Sequence, residues 1–210
     1  MRLHISASIQ DFITTLVVSS SIRMRLLYET LFRILGWKIV GNFPPELKKY
    51  IVAVAPHTSN WDFPVGLAAR GILRMRRTKY LGKSQLFRPP FGWIFRITGG
   101  FPVDRSSRHD MVKQVAGLFN SHDHFILAIA PEGTRKRVEK VRTGFYYIAK
   151  AAHVPIIPVG FDYRKKRVII GAPLYPGDDM EKDFEKLYAF YENITGKNPA
   201  FGLTTSKQPL

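Results

Sequence analysis

Ile51-Val-Ala-Val-Ala-Pro-His57-Thr-Ser-Asn-Trp-Asp62 is the stretch on which the fold turns. Its opening run of small and β-branched apolar residues shows no polar alternation. That pattern describes a short strand buried on both faces, as in a parallel sheet covered by helices. Pro56 ends the strand and delivers His57 onto a loop, and Asn60 or Asp62 is then available to cap the next helix. Phe125-Ile-Leu-Ala-Ile-Ala-Pro-Glu-Gly-Thr-Arg135 repeats the arrangement, a buried run opening onto a polar loop.

Outward from these two runs, Pro and Gly cut the chain into short alternating segments. Strands are predicted at about 51–55, 79–82, 101–103, 125–130, 156–160 and 167–171. Helices are predicted at about 61–73, 86–97, 108–120, 144–152 and 181–193. The alternation argues for an α/β domain with a central, mostly parallel or mixed sheet flanked by helices. We divide the chain into an N-terminal amphipathic helical segment, 1–40, and a main domain, 41–210.

At 210 residues and 24.0 kDa the chain has the length of one domain with a genuine core. It has no cysteine, which excludes disulfides, thiolate metal sites and a thiol nucleophile. Its 32 Lys and Arg against 16 Asp and Glu leave a formal charge of +16, which points to an anionic partner. The net charge is +4 over residues 1–50, +7 over 51–110, +7 over 111–170 and −2 over 171–210. The excess therefore belongs to a folded surface rather than to a basic tail.

Phe12–Ile22, free of charge, has 11 residues and five Ser or Thr, well short of the roughly 20 apolar residues that span a bilayer. It also lacks the pattern of a secretory signal, so the expected location is cytoplasmic. In Arg23–Trp37, the residues Met24, Leu27, Tyr28, Leu31, Ile34 and Leu35 share one helical face, and Arg25, Glu29 and Arg33 line the opposite one. Such a helix either packs on the core or lies in the plane of a membrane interface. Its place before the first predicted strand favours the second, and Trp37 and Lys38 add an aromatic and a further cation.

His57 and Asp62 would stand about 140° apart on one continuous helix, so they meet only if a turn intervenes. With His57 on the loop and Asp62 in the helix's first turn, the carboxylate accepts the proton of one imidazole nitrogen and leaves the other free as a general base. The sequence offers no nucleophile elbow and no second carboxylate nearby in the chain, so a substrate hydroxyl is the expected group to activate. In Gly99-Gly-Phe-Pro-Val-Asp-Arg105, two glycines permit a tight turn into a strand, and Arg105 emerges at the ligand-binding end of the sheet. In the third stretch, Gly133 lets backbone approach a ligand, Thr134 donates hydrogen bonds and Arg135 offers a fork suited to phosphate. Glu132 has either a structural role, bonding a loop amide or neutralising Arg135, or a functional one, binding a substrate hydroxyl.

Taken together these stretches resemble the glycerolipid acyltransferases, the family of 1-acylglycerol-3-phosphate acyltransferases. His57-Thr-Ser-Asn-Trp-Asp62 is similar to their H-x4-D motif, Gly100–Arg105 to the second block, Pro131–Arg135 to the third and Val154-Pro-Ile-Ile-Pro158 to the fourth. Pro56 and Ala130 stand where the family often has Asn and Phe. The resemblance implies that His57 is the general base, that Asp62 orients and stabilises its imidazolium, and that an acceptor hydroxyl attacks an acyl thioester. Arg105, Glu132, Gly133, Thr134 and Arg135 would form the pocket for the glycerol phosphate part of a lysophospholipid. Lys83, after a predicted strand, resembles a family position and would contact phosphate, and Val154–Pro158 reads as hydrophobic structure. The resemblance implies no metal, cofactor or prosthetic group. The donor, acyl-CoA or acyl carrier protein, stays open, as does the acceptor: 1-acylglycerol-3-phosphate, another lysophospholipid or an amino-acid-containing lyso-lipid.

Phe87–Phe95, with Arg88 and Arg96, reads equally as core or as an interfacial surface. His122-Asp-His124 lacks a third ligand for a metal. Arg164–Arg167 reads as an exposed hairpin tip with anionic headgroups as its possible contact. The expected partners are an anionic membrane surface, met peripherally from its cytoplasmic face, and the two substrates. A nucleic-acid-binding protein would share the charge but lacks any recognition motif, and a catalytically silent lipid binder does not account for His57 and Asp62.

Overall fold

A computed structural model describes residues 22–75, 77–103, 108–138 and 141–201. In chain order the elements are helix α1 over 22–34, β1 (Lys38–Val40), β2 (Lys49–Val54), α2 (Asp62–Ile72), β3 (Thr78–Lys83), α3 (Gly92–Ile97), β4 (Gly100–Val103), α4 (Arg108–Asn120), β5 (Phe125–Ile129), α5 (Gly144–Ala152), β6 (Ile156–Asp162), β7 (Arg167–Ile170) and α6 (Met180–Tyr191). The strands form one sheet in the order β1-β7-β6-β2-β5-β3-β4. Every pairing is parallel except the β6–β7 hairpin. The chain is thus the α/β protein with a mostly parallel, helix-flanked sheet that the alternating segments imply.

The apolar run 51–55 lies in and just beyond β2, near the middle of the sheet, and it is buried on both faces for a physical reason. Ile51 and Ala53 enter one core with Leu127, Ile156, Phe119 and residues of α5 and α6, among them Ile148 and Phe184. Tyr50 and Val52 enter the other with Ile157, Val159, Phe32, Ala68 and Ala69. Each fully buried branched side chain removes apolar surface worth about 1.5–3 kcal/mol, so a strand with water on neither side tolerates no polar alternation.

Two elements differ from the sequence expectation. The helix predicted over 86–97 is a 3-10 turn, Ser84–Phe87, followed by α3 after a break at Pro89-Pro90, whose rings and missing N–H groups forbid a continuous helix. Gly99, at φ 94°, then turns the chain into β4 where a Cβ would meet the Thr78 carbonyl oxygen at 2.7 Å. Lys38, expected as a cation beside a surface helix, begins β1 and is in register with Arg167.

In α1 the stripe facing the domain is Arg25, Tyr28, Glu29 and Phe32. Phe32 is buried, the ring of Tyr28 lies against Gly71, and Arg25 Nε donates to Glu29 Oε1 at 2.6 Å. Tyr28 therefore leaves the apolar face on which the sequence placed it. Met24, Leu27, Leu31, Ile34 and Leu35 remain exposed, Ile34 to 74%. Trp37 turns inward onto Phe32 and Tyr163. Among the described residues no helix is long and apolar enough to cross a membrane.

Candidate active site

All the parallel strands from β6 to β4 run in one direction, so the loops that follow them gather along one edge of the sheet, where α/β proteins bind ligands. β2 delivers His57 to that edge, β5 delivers Glu132–Arg135, β6 delivers Tyr163, and Lys83 is the last residue of β3.

The turn needed between His57 and Asp62 is present. His57 Nδ1 stands 2.9 Å from Asp62 Oδ2. Asp62 opens α2 without capping it in the usual sense: the N-cap position is Trp61, with no side-chain cap. The carboxylate instead folds back on its own loop, where Oδ2 accepts the amides of Thr58 at 2.9 Å and Ser59 at 3.0 Å, and Oδ1 accepts the Tyr163 hydroxyl at 2.8 Å. Burial by itself opposes the charge of Asp62, but the bonds from His57, Ser59 and Tyr163 prevail and hold its carboxyl below the usual aspartate range. The dyad's acceptor is therefore a fixed anion. With Nδ1 turned to it, the proton is placed there and Nε2 is the free acceptor.

Glu132 is buried at 1% exposure directly beneath this loop. Its Oε2 accepts the main-chain amide of His57 at 2.6 Å, and its Oε1 is buried with no partner among the described residues. Burial first, with the negative Asp62 adding and the His57 amide opposing, pushes its carboxyl up to about 7. The structural role anticipated for Glu132, bonding a loop amide, is thus realised, and the amide belongs to His57.

Gly133 has φ 65°, a left-handed conformation suited to glycine, and its open side is filled by Arg142. A Cβ there would stand 2.7 Å from Arg142 Nε. Thr134 Oγ1 accepts the Lys136 amide at 3.3 Å, and Arg135 is exposed. The backbone of Lys83 ends β3, and Arg105 lies outside the described residues, just beyond β4. Val154, Ile156 and Ile157 are buried core.

Sequence reasoning missed two residues here. Arg142, nine residues beyond Gly133, has no motif around it; only its nearness to α5 hints at the loop it covers. Tyr163 reaches Asp62 across 101 residues of chain and leaves no local signal at all.

The aromatic stretch 87–95 is divided. Phe87 is buried under Gly82 and Gly100, with Phe95 tilted on it at 6.1 Å. Phe91, Trp93 and Ile97 are exposed, at 65%, 60% and 71%. Arg164–Lys166 does form the exposed tip of the β6–β7 hairpin.

Known proteins resemble this chain in sequence and in fold. A protein named 1-acyl-sn-glycerol-3-phosphate acyltransferase from Haemophilus influenzae is 30% identical over 138 residues, covering 61% of this chain and 55% of its own. One of the same name from Streptococcus pneumoniae is 32% identical, covering 61% and 50%. This chain spans about half the length of these curated relatives. The crystal structure of the 1-acyl-sn-glycerophosphate (LPA) acyltransferase PlsC from Thermotoga maritima superposes with a TM-score of 0.53 at 17% identity, over 84% of this chain and 81% of that one, which shows a shared fold. The family model for acyltransferases matches residues 38–162, from β1 through both site loops to the end of β6, and the chain belongs to that acyltransferase family.

Proposed function

We propose that this chain transfers a fatty acyl group from an acyl thioester, carried by coenzyme A or an acyl carrier protein, to a hydroxyl of a lysophospholipid, with 1-acylglycerol-3-phosphate the foremost acceptor. The observation that carries the reading is the union of two loops. The His57–Asp62 pair and the buried Glu132 are one hydrogen-bonded unit, so the group that takes a proton and the group that can hold the acceptor share a scaffold.

In the reaction, His57 Nε2 takes the proton from the acceptor hydroxyl as its oxygen forms a bond to the thioester carbonyl carbon. Asp62, already an anion, stabilises the imidazolium. The tetrahedral intermediate then expels the thiolate, which recovers that proton from His57, giving an ester and a free thiol. Glu132 Oε1 accepts a hydrogen bond from the acceptor's glycerol part. Arg135, with Lys83 and Arg105 from the neighbouring strand ends, neutralises its phosphate, and Arg142 adds a cation beside Gly133. Gly133 and Thr134 shape the loop around that group. The scheme uses no metal or prosthetic group. The names of the relatives support the acceptor.

The partner surface in this reading is an anionic membrane, met peripherally. Supporting it are the exposed apolar face of α1 and the exposed rings of Phe91 and Trp93 beside Ile97. Residues 63–103, which include that second patch, carry eight Lys and Arg and no Asp or Glu, and each cation near an anionic leaflet adds about 1 kcal/mol of attraction.

The test is a panel. Purified protein is given one labelled acyl chain, as acyl-CoA and then as acyl carrier protein, with 1-acylglycerol-3-phosphate, other lysophospholipids and an amino-acid-containing lyso-lipid. Labelled phosphatidic acid is the expected main product. Transfer to none of the acceptors contradicts the reaction, and transfer only to acceptors without a phosphate contradicts the assignment of the arginines.

A further inference from the structure

We propose that Tyr163 is a positioning residue for the dyad, holding the Asp62 carboxylate in the one orientation that presents Oδ2 to His57. The inference rests on the reading of His57 as general base and deepens it.

The two oxygens of Asp62 have different duties. Oδ2 is surrounded by the His57 ring and the Thr58 and Ser59 amides, all on the same loop. Oδ1 faces away from that loop and has a single described partner, the Tyr163 hydroxyl at 2.8 Å. Remove that donor and a buried anionic oxygen is left bare. The carboxylate then gains by turning about its Cβ–Cγ bond to share its amides between both oxygens, which takes Oδ2 off the line to Nδ1.

Tyr163 is itself fixed from three sides, as a positioning group must be. Its amide donates to the Thr195 carbonyl at 2.8 Å. The edge of Trp37 meets its ring at 5.0 Å and 89°. Lys197 Nζ stands over the ring at 5.7 Å. The segment that supplies Thr195 and Lys197 also grips the dyad loop, since the Asn198 side chain donates to the Thr58 carbonyl at 2.9 Å and its amide to Thr58 Oγ1 at 3.1 Å. Three distant parts of the chain, the end of the α1 connection, the β6–β7 hairpin and the segment after α6, thus converge behind one carboxylate.

Tyr163→Phe keeps the ring on Trp37 and removes only the hydroxyl. We expect kcat for acyl transfer to fall about tenfold, the factor that corresponds to one charge-assisted hydrogen bond, with KM for the acceptor unchanged and the melting temperature lowered by only a few degrees. In an Asp62→Asn background the same change should cost no more than a factor of about two, because the anion it positions is gone. Wild-type kcat in Tyr163→Phe, or an equal loss in both backgrounds, overturns the proposal. A second measurement separates this idea from the reaction itself: in the protein without substrate, the NMR resonance of the His57 Nδ1 proton should move on Tyr163→Phe. A moved resonance in a protein with no acyl-transfer activity would uphold the positioning and reject the reaction, while an unmoved one rejects the positioning whatever the activity.

Discussion

Within the site, Glu132 is the carboxyl group that burial raises. Its ordinary value is 4.5 and its value in the folded protein is about 7, raised by burial. Between those two pH values the native state keeps a proton that the unfolded chain has lost. Stability from this group therefore falls as pH rises from about 4.5 to about 7 and is level above that. Glu132→Gln keeps an oxygen for the His57 amide and removes the charge that burial penalises. Its stability relative to wild type should thus be near equal at pH 4 and higher by about 1–3 kcal/mol at pH 8, read from denaturant melts across that range. Asp62 titrates in the opposite sense in both proteins and cancels in the difference. Stability curves that run parallel with pH would reject the assignment. Activity should drop in the same variant, because the amide is a weaker acceptor than the carboxylate for the hydrogen bond that the acceptor lipid donates. The residue scale also marks the limit of sequence reading. His57, Asp62, Glu132 and Gly133 were legible because each follows a buried strand within one loop. Tyr163 and Arg142 were not, since their relevance is created by packing between segments far apart in sequence.

At the scale of elements, the apolar face of α1 is not the face that meets the domain. The apolar residues do recur with helical spacing, but the contact with the domain is made by the neighbouring stripe of Arg25, Tyr28, Glu29 and Phe32. The side chains most suited to a core are left outside it, which a monomeric soluble surface does not favour and a lipid interface does. Removal of the whole N-terminal segment is a poor test, because Phe32 and Trp37 belong to the fold. Replacing Leu27, Leu31 and Ile34 together by Glu leaves those contacts alone. Sedimentation with anionic vesicles should weaken by at least about tenfold, since three Leu-sized groups lose apolar burial and three charges repel the leaflet, while the melting temperature stays the same. Unchanged vesicle binding would remove α1 from the membrane surface. β1 illustrates the reverse case. Three residues carry little periodic signal, and its strand state is induced by pairing with β7, some 130 residues later in the chain.

For the whole molecule, the parallel sheet is what turns separate motifs into a site. Six of its seven strands were readable, the central β2, β5 and β6 most plainly, because burial on both faces suppresses alternation and leaves compact apolar runs. The strand order was not, since nothing local specifies that β2 lies between β6 and β5. That order brings the loop after β2 against the loop after β5, and the 2.6 Å bond from the His57 amide to Glu132 is the result. The +16 is likewise divided by the fold: among the described residues, Arg135 is exposed on the loop after β5, and Arg88 and Arg96 lie in the segment that carries the exposed Phe91, Trp93 and Ile97. Whether His57 is the base of an acyl transfer is decided by one comparison. Wild type and His57→Ala are assayed for transfer of a labelled acyl group from acyl-CoA, and from acyl carrier protein, to 1-acylglycerol-3-phosphate. The variant should lose about 10²–10⁴-fold in rate with vesicle binding and melting temperature retained; a variant that folds and turns over at the wild-type rate would remove His57 from the role of base.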